Sequence, residues 1–196
     1  MTDPQTWVEP TCRRLADLLD AAPAAVWDAP SLCEKWQVRH VVAHLTMPAR
    51  LTPERFGAEM AAARGDFTVL SDTVAARDAS LPLDDLLGQL RSPELHGWQP
   101  PGGGAAGALS HAVIHSLDVT VALDRPTVAP PEAVTAVLDR LADGTLFGVD
   151  PSGVRVEATD TAWSSGTGRP LRAKSGELVA LLAGRALPDG RALPRR

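Results

Sequence analysis

Apolar positions recur at helical spacing through most of the first 123 residues. Leu15, Leu18 and Leu19 form a stripe that predicts a helix over residues 3–22, with Asp3-Pro4 as cap and first turn and Pro23 as stop. Pro10 either moves its start toward Thr6–Glu9 or kinks it. Residues 23–37 read as a connection whose two tryptophans, Trp27 and Trp36, pack it onto a helix pair. Val38, Val41, Val42 and Leu45 predict a second helix from about Val38 to Met47, with His44 on or beside its apolar face and Pro48 at its end. Thr52-Pro53-Glu54 opens a third, to about Arg64. Residues 66–79 and 83–91 read as further helical pieces, split near Leu81-Pro82, the second capped by Asp84. A Pro/Gly-rich loop spans 92–104, and a helix follows from about Ala105 to Leu123.

Beyond Arg125–Pro131, the clearest boundary in the chain, the pattern changes. A short helix is expected over Glu132–Asp143. Residues 154–159 alternate with period two, as a half-buried strand does. Residues 162–164 and 170–173 suggest two more strands around Gly166-Thr167-Gly168. Ser175–Ala183 is a closing helix stopped by Gly184, and the tail from Pro188 is expected to be loose. The fold class is therefore mainly α: a helical bundle over 1–125 and a small α+β subdomain over 132–187.

Composition fits this picture. The 196 residues are 44% hydrophobic but hold only five Trp, three Phe and no Tyr, so the core must be built from Leu, Val and Ala. The net charge of −5, without a basic stripe, argues against nucleic-acid binding. Cys12 and Cys33 are too few for a disulfide framework, and Cys33 reads either as a small buried hydrophobe or as a thiol near a site. The start Met-Thr-Asp-Pro has no basic-then-apolar leader, and the uncharged run from Gly97 to Leu117 is broken by Pro100-Pro101-Gly102-Gly103-Gly104. A cytoplasmic protein with no membrane partner is expected.

The candidate chemistry centres on His111 and His115. Four residues apart on a helix, they share a face with Cβ atoms about 6 Å apart, close enough for one metal ion. Such a pair is also common as a structural or solvated feature. Ala112 stands where a zinc protease needs its glutamate, so that activity is disfavoured. His44, on a separate helix among apolar residues, is either a core histidine bonded to a carbonyl or a third ligand. Three protein ligands would leave a position open for water or substrate. Asp118, three after His115, either orients a ligand imidazole or is a solvated helix residue. His40, four before His44, reads as a first-turn residue, and His96 as exposed. The glycine run before the His111 helix lacks the Lys-Ser/Thr of a phosphate loop and reads as a turn.

Taken together, Trp27-Asp28-Ala29-Pro30-Ser31-Leu32-Cys33-Glu34-Lys35-Trp36, the run Val38 to Leu45, Leu109 to Val119, Ala158-Thr159-Asp160 with Trp163, Gly166 and Gly168, and Leu181 to Arg185 resemble the mycothiol-dependent maleylpyruvate isomerase family, related to the DinB-like helix bundles. The resemblance covers nearly the whole chain. It implies a DinB-like four-helix bundle with a divalent metal on His44, His111 and His115: zinc first, with nickel or iron as alternatives. It also implies mycothiol as co-substrate, a small electrophile as its partner, and thiol addition with isomerisation or S-transfer as the reaction. The alternative is a non-catalytic metal- or ligand-binding bundle. Arg185 is the candidate for an anionic substrate, against a plain helix-end cation. A homodimer is compatible with the sequence. The isomerase carries glutamate at the position of His111, so the three-His set is closer to other DinB-like members. Gln37 and His40 replace the Thr and Asp usual in the family, which predicts a less firmly capped second helix and adds weight to His40 as a functional residue. The C-terminal part reads as shorter than in the isomerase.

Overall fold

A computed structural model describes residues 2–196. The chain opens with a 3-10 turn, Pro4–Trp7, in which the Asp3 carboxylate accepts from the Gln5 amide at 3.0 Å. Helix α1 then runs Val8–Asp20. The α-helix starts at Val8, inside the expected Thr6–Glu9 window, which places Pro10 in the first turn, where its missing N–H has no intrahelical partner to lose. One face of α1 buries Val8, Cys12, Leu15, Ala16 and Leu19.

Helix α2, Val38–Leu45, has no side-chain cap at Gln37. The connection holds its start instead: Val38 N–H donates to Ala29 C=O at 3.0 Å and Pro30 bridges Gln37. A 3-10 turn, Met47–Ala49, ends this segment. Helices α3, Pro53–Ala62, and α4, Phe67–Asp78, form a hairpin with a small core of Met47, Leu70 and Val74. Asp66 caps α4 by accepting from the amides of Thr68 and Val69. Helix α5, Leu83–Leu90, begins after Pro82; Asp84 lies in its first turn and makes no capping bond, contrary to the sequence expectation.

The expected loop over 92–104 contains a short helix, α6, Pro93–Gly97, capped by Ser92. It fixes His96, whose Nε2–H donates to Leu90 C=O at 2.9 Å, so His96 is half-buried rather than exposed. Helix α7, Gly104–Thr120, is buried along most of its length, and both α1 and α2 pack on it. Helix α5 packs on α1 and α2, and α4 packs on α2.

After a stretch without helix or strand come α8, Pro131–Leu141, and a three-stranded sheet. Strand β1, Val154–Ala158, lies between β2, Ser164–Gly166, and β3, Arg169–Ala173. β1 pairs antiparallel with β2, Val156 opposite Ser165, and parallel with β3, Val156 opposite Leu171. The β2–β3 turn depends on Gly168: its φ is 118°, and a Cβ there would stand 2.2 Å from Gly153 O. Helix α9, Ser175–Leu182, stops at Gly184 with φ 76°. Gly176 brings α9 close to α7, since a Cβ on it would meet Leu117 Cδ2 at 2.8 Å. One hydrophobic core therefore includes Leu15 and Leu117 from the bundle and Leu178 and Leu181 from α9.

The tail is not loose. Asp150 N–H donates to Pro194 C=O and Arg196 N–H to Gly148 C=O, each at 2.8 Å, and Leu193 is buried. Among the described residues no helix is long and apolar enough to cross a membrane.

Candidate metal centre and its cleft

Helix α2 presents His44 near its C-terminal end, and α7 presents His111 and His115 one turn apart on the face that meets α2. His44 Nε2 lies 3.3 Å from His111 Nε2. One ring nitrogen from each of the three imidazoles falls within 4.8 Å of the others. Nitrogens bound at the usual Zn–N length in a tetrahedral site are about 3.3 Å apart, so the group is near a ligating arrangement.

Protonation state fits as well. Burial, reinforced by the neighbouring imidazoles, holds His44 and His111 well below the ordinary histidine pKa, in the neutral form that ligates. His44 Nδ1 is buried without a hydrogen-bond partner, so no carbonyl accepts from it as a plain core histidine would require. The donor set therefore suits a divalent ion with nitrogen preference, and three side chains leave coordination positions free.

Behind His115 stands Asp118, fully buried rather than solvated. Its Oδ2 accepts from His115 Nδ1–H at 2.9 Å, which leaves His115 Nε2 without a proton and able to ligate. Arg185, just past α9, forks onto the same carboxylate: Nε to Oδ1 at 2.8 Å and Nη2 to Oδ2 at 3.0 Å. Burial alone would raise the Asp118 carboxyl; the hydrogen bonds from His115 and Arg185 outweigh it and hold the group well below the usual carboxylate range. Cys33 also lies on this carboxylate, its S–H donating to Oδ2 at 3.2 Å. Burial and then the Asp118 charge push the Cys33 thiol up, so it is a protonated donor and a poor nucleophile. Cys33, His115 and Asp118 form a second close group of potential ligands, but the Arg185 guanidinium already supplies the positive charge on that carboxylate.

Aromatic rings enclose the imidazoles. Trp36 lies 5.0 Å and Phe67 6.4 Å from His44, ring centre to centre, and Trp98 lies 5.3 Å from His111. A cleft of about 970 Å³ opens beside the cluster, with His44, His115, Cys33 and Arg185 among its lining residues. His40 is not part of the group; its Nδ1 is buried without a partner elsewhere on α2. Gly102–Gly104 contribute nothing to the cleft.

The spacing of His111 and His115 and the position of His44 were readable in the sequence. Asp118 as the carboxylate that orients His115 was one of two readings the sequence left open, and Trp36, Phe67 and Trp98 as the surrounding rings were not readable. For Asp118 the signal was its place three residues after His115 within an apolar run.

Residues 8–94 match the family model described as the mycothiol maleylpyruvate isomerase N-terminal domain. The segment from Trp27 to Leu45 that carried the resemblance falls inside this match. Crystal structures of the mycothiol-dependent maleylpyruvate isomerase and of a histidine-to-alanine mutant of it superpose on the chain with a TM-score of 0.55 each, at 16% and 14% identity. Each alignment covers 98% of this chain and 95% of the other, so the C-terminal part is not markedly shorter than in that enzyme. At this identity the match establishes a common fold. No curated protein sequence matches.

Proposed function

We propose that this chain, whose residues 8–94 belong to the mycothiol maleylpyruvate isomerase N-terminal domain family, is a metal-dependent enzyme that uses mycothiol to add to, isomerise or transfer sulfur to a small electrophile. The observation that carries this reading is the convergence of His44, His111 and His115 beside a cleft, with Asp118 fixing the tautomer of His115.

A divalent ion on these imidazoles would supply a positive charge that lowers the pKa of a nearby thiol and favours the thiolate. The residues of the chain do the rest. Burial keeps His44 and His111 neutral and ready to ligate. Asp118 holds the proton of His115 on Nδ1 and so aims Nε2. Trp36, Phe67 and Trp98 limit water around the ligands. Two nitrogens of Arg185 are occupied by Asp118; the third is available to an anionic group of the substrate, with Arg195 on the same cleft. An open cleft beside the ligand atoms favours a catalyst over the non-catalytic metal-binding alternative.

Metal analysis of the purified protein tests the reading. About one divalent ion per chain is expected, lost in His111→Ala and in His44→Ala. Isomerisation of maleylpyruvate, in which the added mycothiol is eliminated again and returned, or consumption of mycothiol by a simple alkylating electrophile, should follow metal content. A metal-free protein that takes up no added zinc overturns the metal site. A zinc-loaded protein that leaves mycothiol and every electrophile unchanged overturns the enzyme reading and favours the binding protein.

A further inference from the structure

The segment after α9 makes one wall of the cleft. Gly184, Arg185, Leu187 and Arg195 line it in company with His44 and His115. Its two guanidiniums are in different states. Arg185 is turned onto the buried Asp118 carboxylate through Nε and Nη2. Arg195 is exposed and has no counter-charge: among the described residues its only side-chain bond runs from Nη2 to Gly184 C=O at 2.9 Å. The carboxylates on the cleft do not meet it. Asp72 accepts from Trp36 Nε1–H at 3.0 Å, and among the described residues neither Asp72 nor Glu34 pairs with Arg195.

Unpaired surface arginines are common, and alone they indicate nothing. This one is held in place. Asp150 N–H donates to Pro194 C=O and Arg196 N–H to Gly148 C=O, so backbone bonds fix the chain on both sides of Arg195, and Leu193 is buried. The side chain is tethered too. A Cβ on Gly184 would stand 3.0 Å from Arg195 Nη2 and 3.3 Å from its Cζ and Nη1, so the guanidinium lies over the α-carbon of the residue next to Arg185. Its Nε and Nη1 keep their hydrogens free. A guanidinium anchored at both ends loses less freedom on binding, and its remaining N–H groups suit a carboxylate. Lys35 also lines the cleft, but among the described residues it has no such tether.

Arg195 on Gly184 C=O could equally serve as a helix-end cation, since Gly184 follows α9. That role needs one N–H and shows as stability alone. Ligand recognition shows as a preference for charge.

We propose that Arg195 is a specificity-determining residue: held over Gly184 by the tail, it receives a carboxylate of the small molecule in the cleft and makes the site prefer anionic ligands to their neutral counterparts. Arg185 has one nitrogen left for such a group, and Arg195 has two. The inference deepens the functional reading by naming the residue that reads charge, and it rests on that reading for the reaction only; carboxylate binding requires neither metal nor thiol.

Titration of the full chain with succinate, monomethyl succinate and dimethyl succinate, followed by two-dimensional NMR, tests it. The Arg195 Nε–H signal, assigned by its loss in Arg195→Gln, should shift saturably with succinate, and affinity should fall as each charge is removed. Arg195→Gln keeps a donor for Gly184 C=O and removes the charge. It should bind succinate about tenfold more weakly and leave the diester unchanged. Arg196, which bonds Asp143 C=O and does not line the cleft, is the control: Arg196→Gln should bind as the parent does. No saturable shift, equal binding of the three probes, or an equal loss in Arg196→Gln overturns the inference. So does an Arg195→Gln variant that melts lower but keeps the parent's preference, which would make Arg195 a helix-end cation only. Charge selection without thiol chemistry would sink the functional reading alone; thiol chemistry that treats charged and neutral electrophiles alike would sink this one alone.

Discussion

Two buried carboxylates, Asp118 and Asp78, have nearly the same electrostatics and different consequences. Asp78, the last residue of α4, is 8% exposed and accepts from Arg50 Nε at 3.0 Å and Arg77 Nε at 2.6 Å. Burial would raise it, and the two guanidiniums outweigh that and hold it low, as Arg185 and His115 do for Asp118. Arg50 continues to Thr46 Oγ1, Ala43 C=O and Gln89, and Arg77 to Glu59, so that network joins the end of α2 to α3, α4 and α5 and includes none of the three clustered histidines. Asp118 shares its oxygen with an imidazole whose other nitrogen belongs to the histidine cluster. A low carboxylate pKa beside arginine therefore does not mark a functional site. What the carboxylate's further partner touches does.

The sharpest way to break this comparison is to remove each carboxylate. Asp118→Ala leaves Arg185 without its counter-charge and His115 unaimed. Urea unfolding should show a loss of about 3 kcal/mol or more, and zinc affinity, by competition with a chelator, should fall 10- to 100-fold. Asp78→Asn should cost about 2–3 kcal/mol in the same unfolding assay, because charged hydrogen bonds are lost, with zinc affinity within twofold of the parent. If it weakens zinc binding as much as Asp118→Ala does, the two networks are not functionally distinct. Arg185→Lys keeps the charge and loses the fork. It should cost about 1 kcal/mol and reduce zinc affinity several-fold, with kcat more affected than KM if Arg185 positions rather than binds substrate.

The smallest effect is in pH dependence. Both carboxyls have folded pKa values below the ordinary 3.8. As pH falls through 3.8 the unfolded chain takes up protons that the folded chain still excludes, so stability drops with falling pH. Asp118→Ala and Asp78→Asn each lack one such group and should show a shallower loss below about pH 4 than the parent, read from melting temperatures across about pH 5 to 3.

Much of the fold was legible because each helix has its own local signal. The stripe of Leu15 and Leu19, the cap at Thr52 and the stop at Gly184 act within a turn or two of chain. The three histidines were legible through helical spacing and resemblance. Asp118 was legible only as one of two alternatives, because position on a helix gives the direction of a side chain but not what covers it, and here the cover comes from Arg185. The short helix α6 was hidden by its Pro and Gly, which read as loop although Ser92 and Pro93 are also a helix start. The tail was misread because its anchors, backbone bonds to Gly148 and Asp150, the buried Leu193 and arginine bonds to the carbonyls of Gly184 and Asp143, follow no regular side-chain period.

The Asp118–Arg185 fork also sets an order of assembly. Arg185 is 67 residues beyond Asp118, and His111 is 67 beyond His44, so both links close long stretches of chain. Closing such loops carries an entropic cost that must be met before the contacts can repay it. The helices can form early from local contacts, but His115 gains its fixed aim only when α9 has docked through Gly176 onto α7. During refolding, native-like helix content should therefore appear before tight zinc binding, and the delay between the two measures how late the last segment reaches the site.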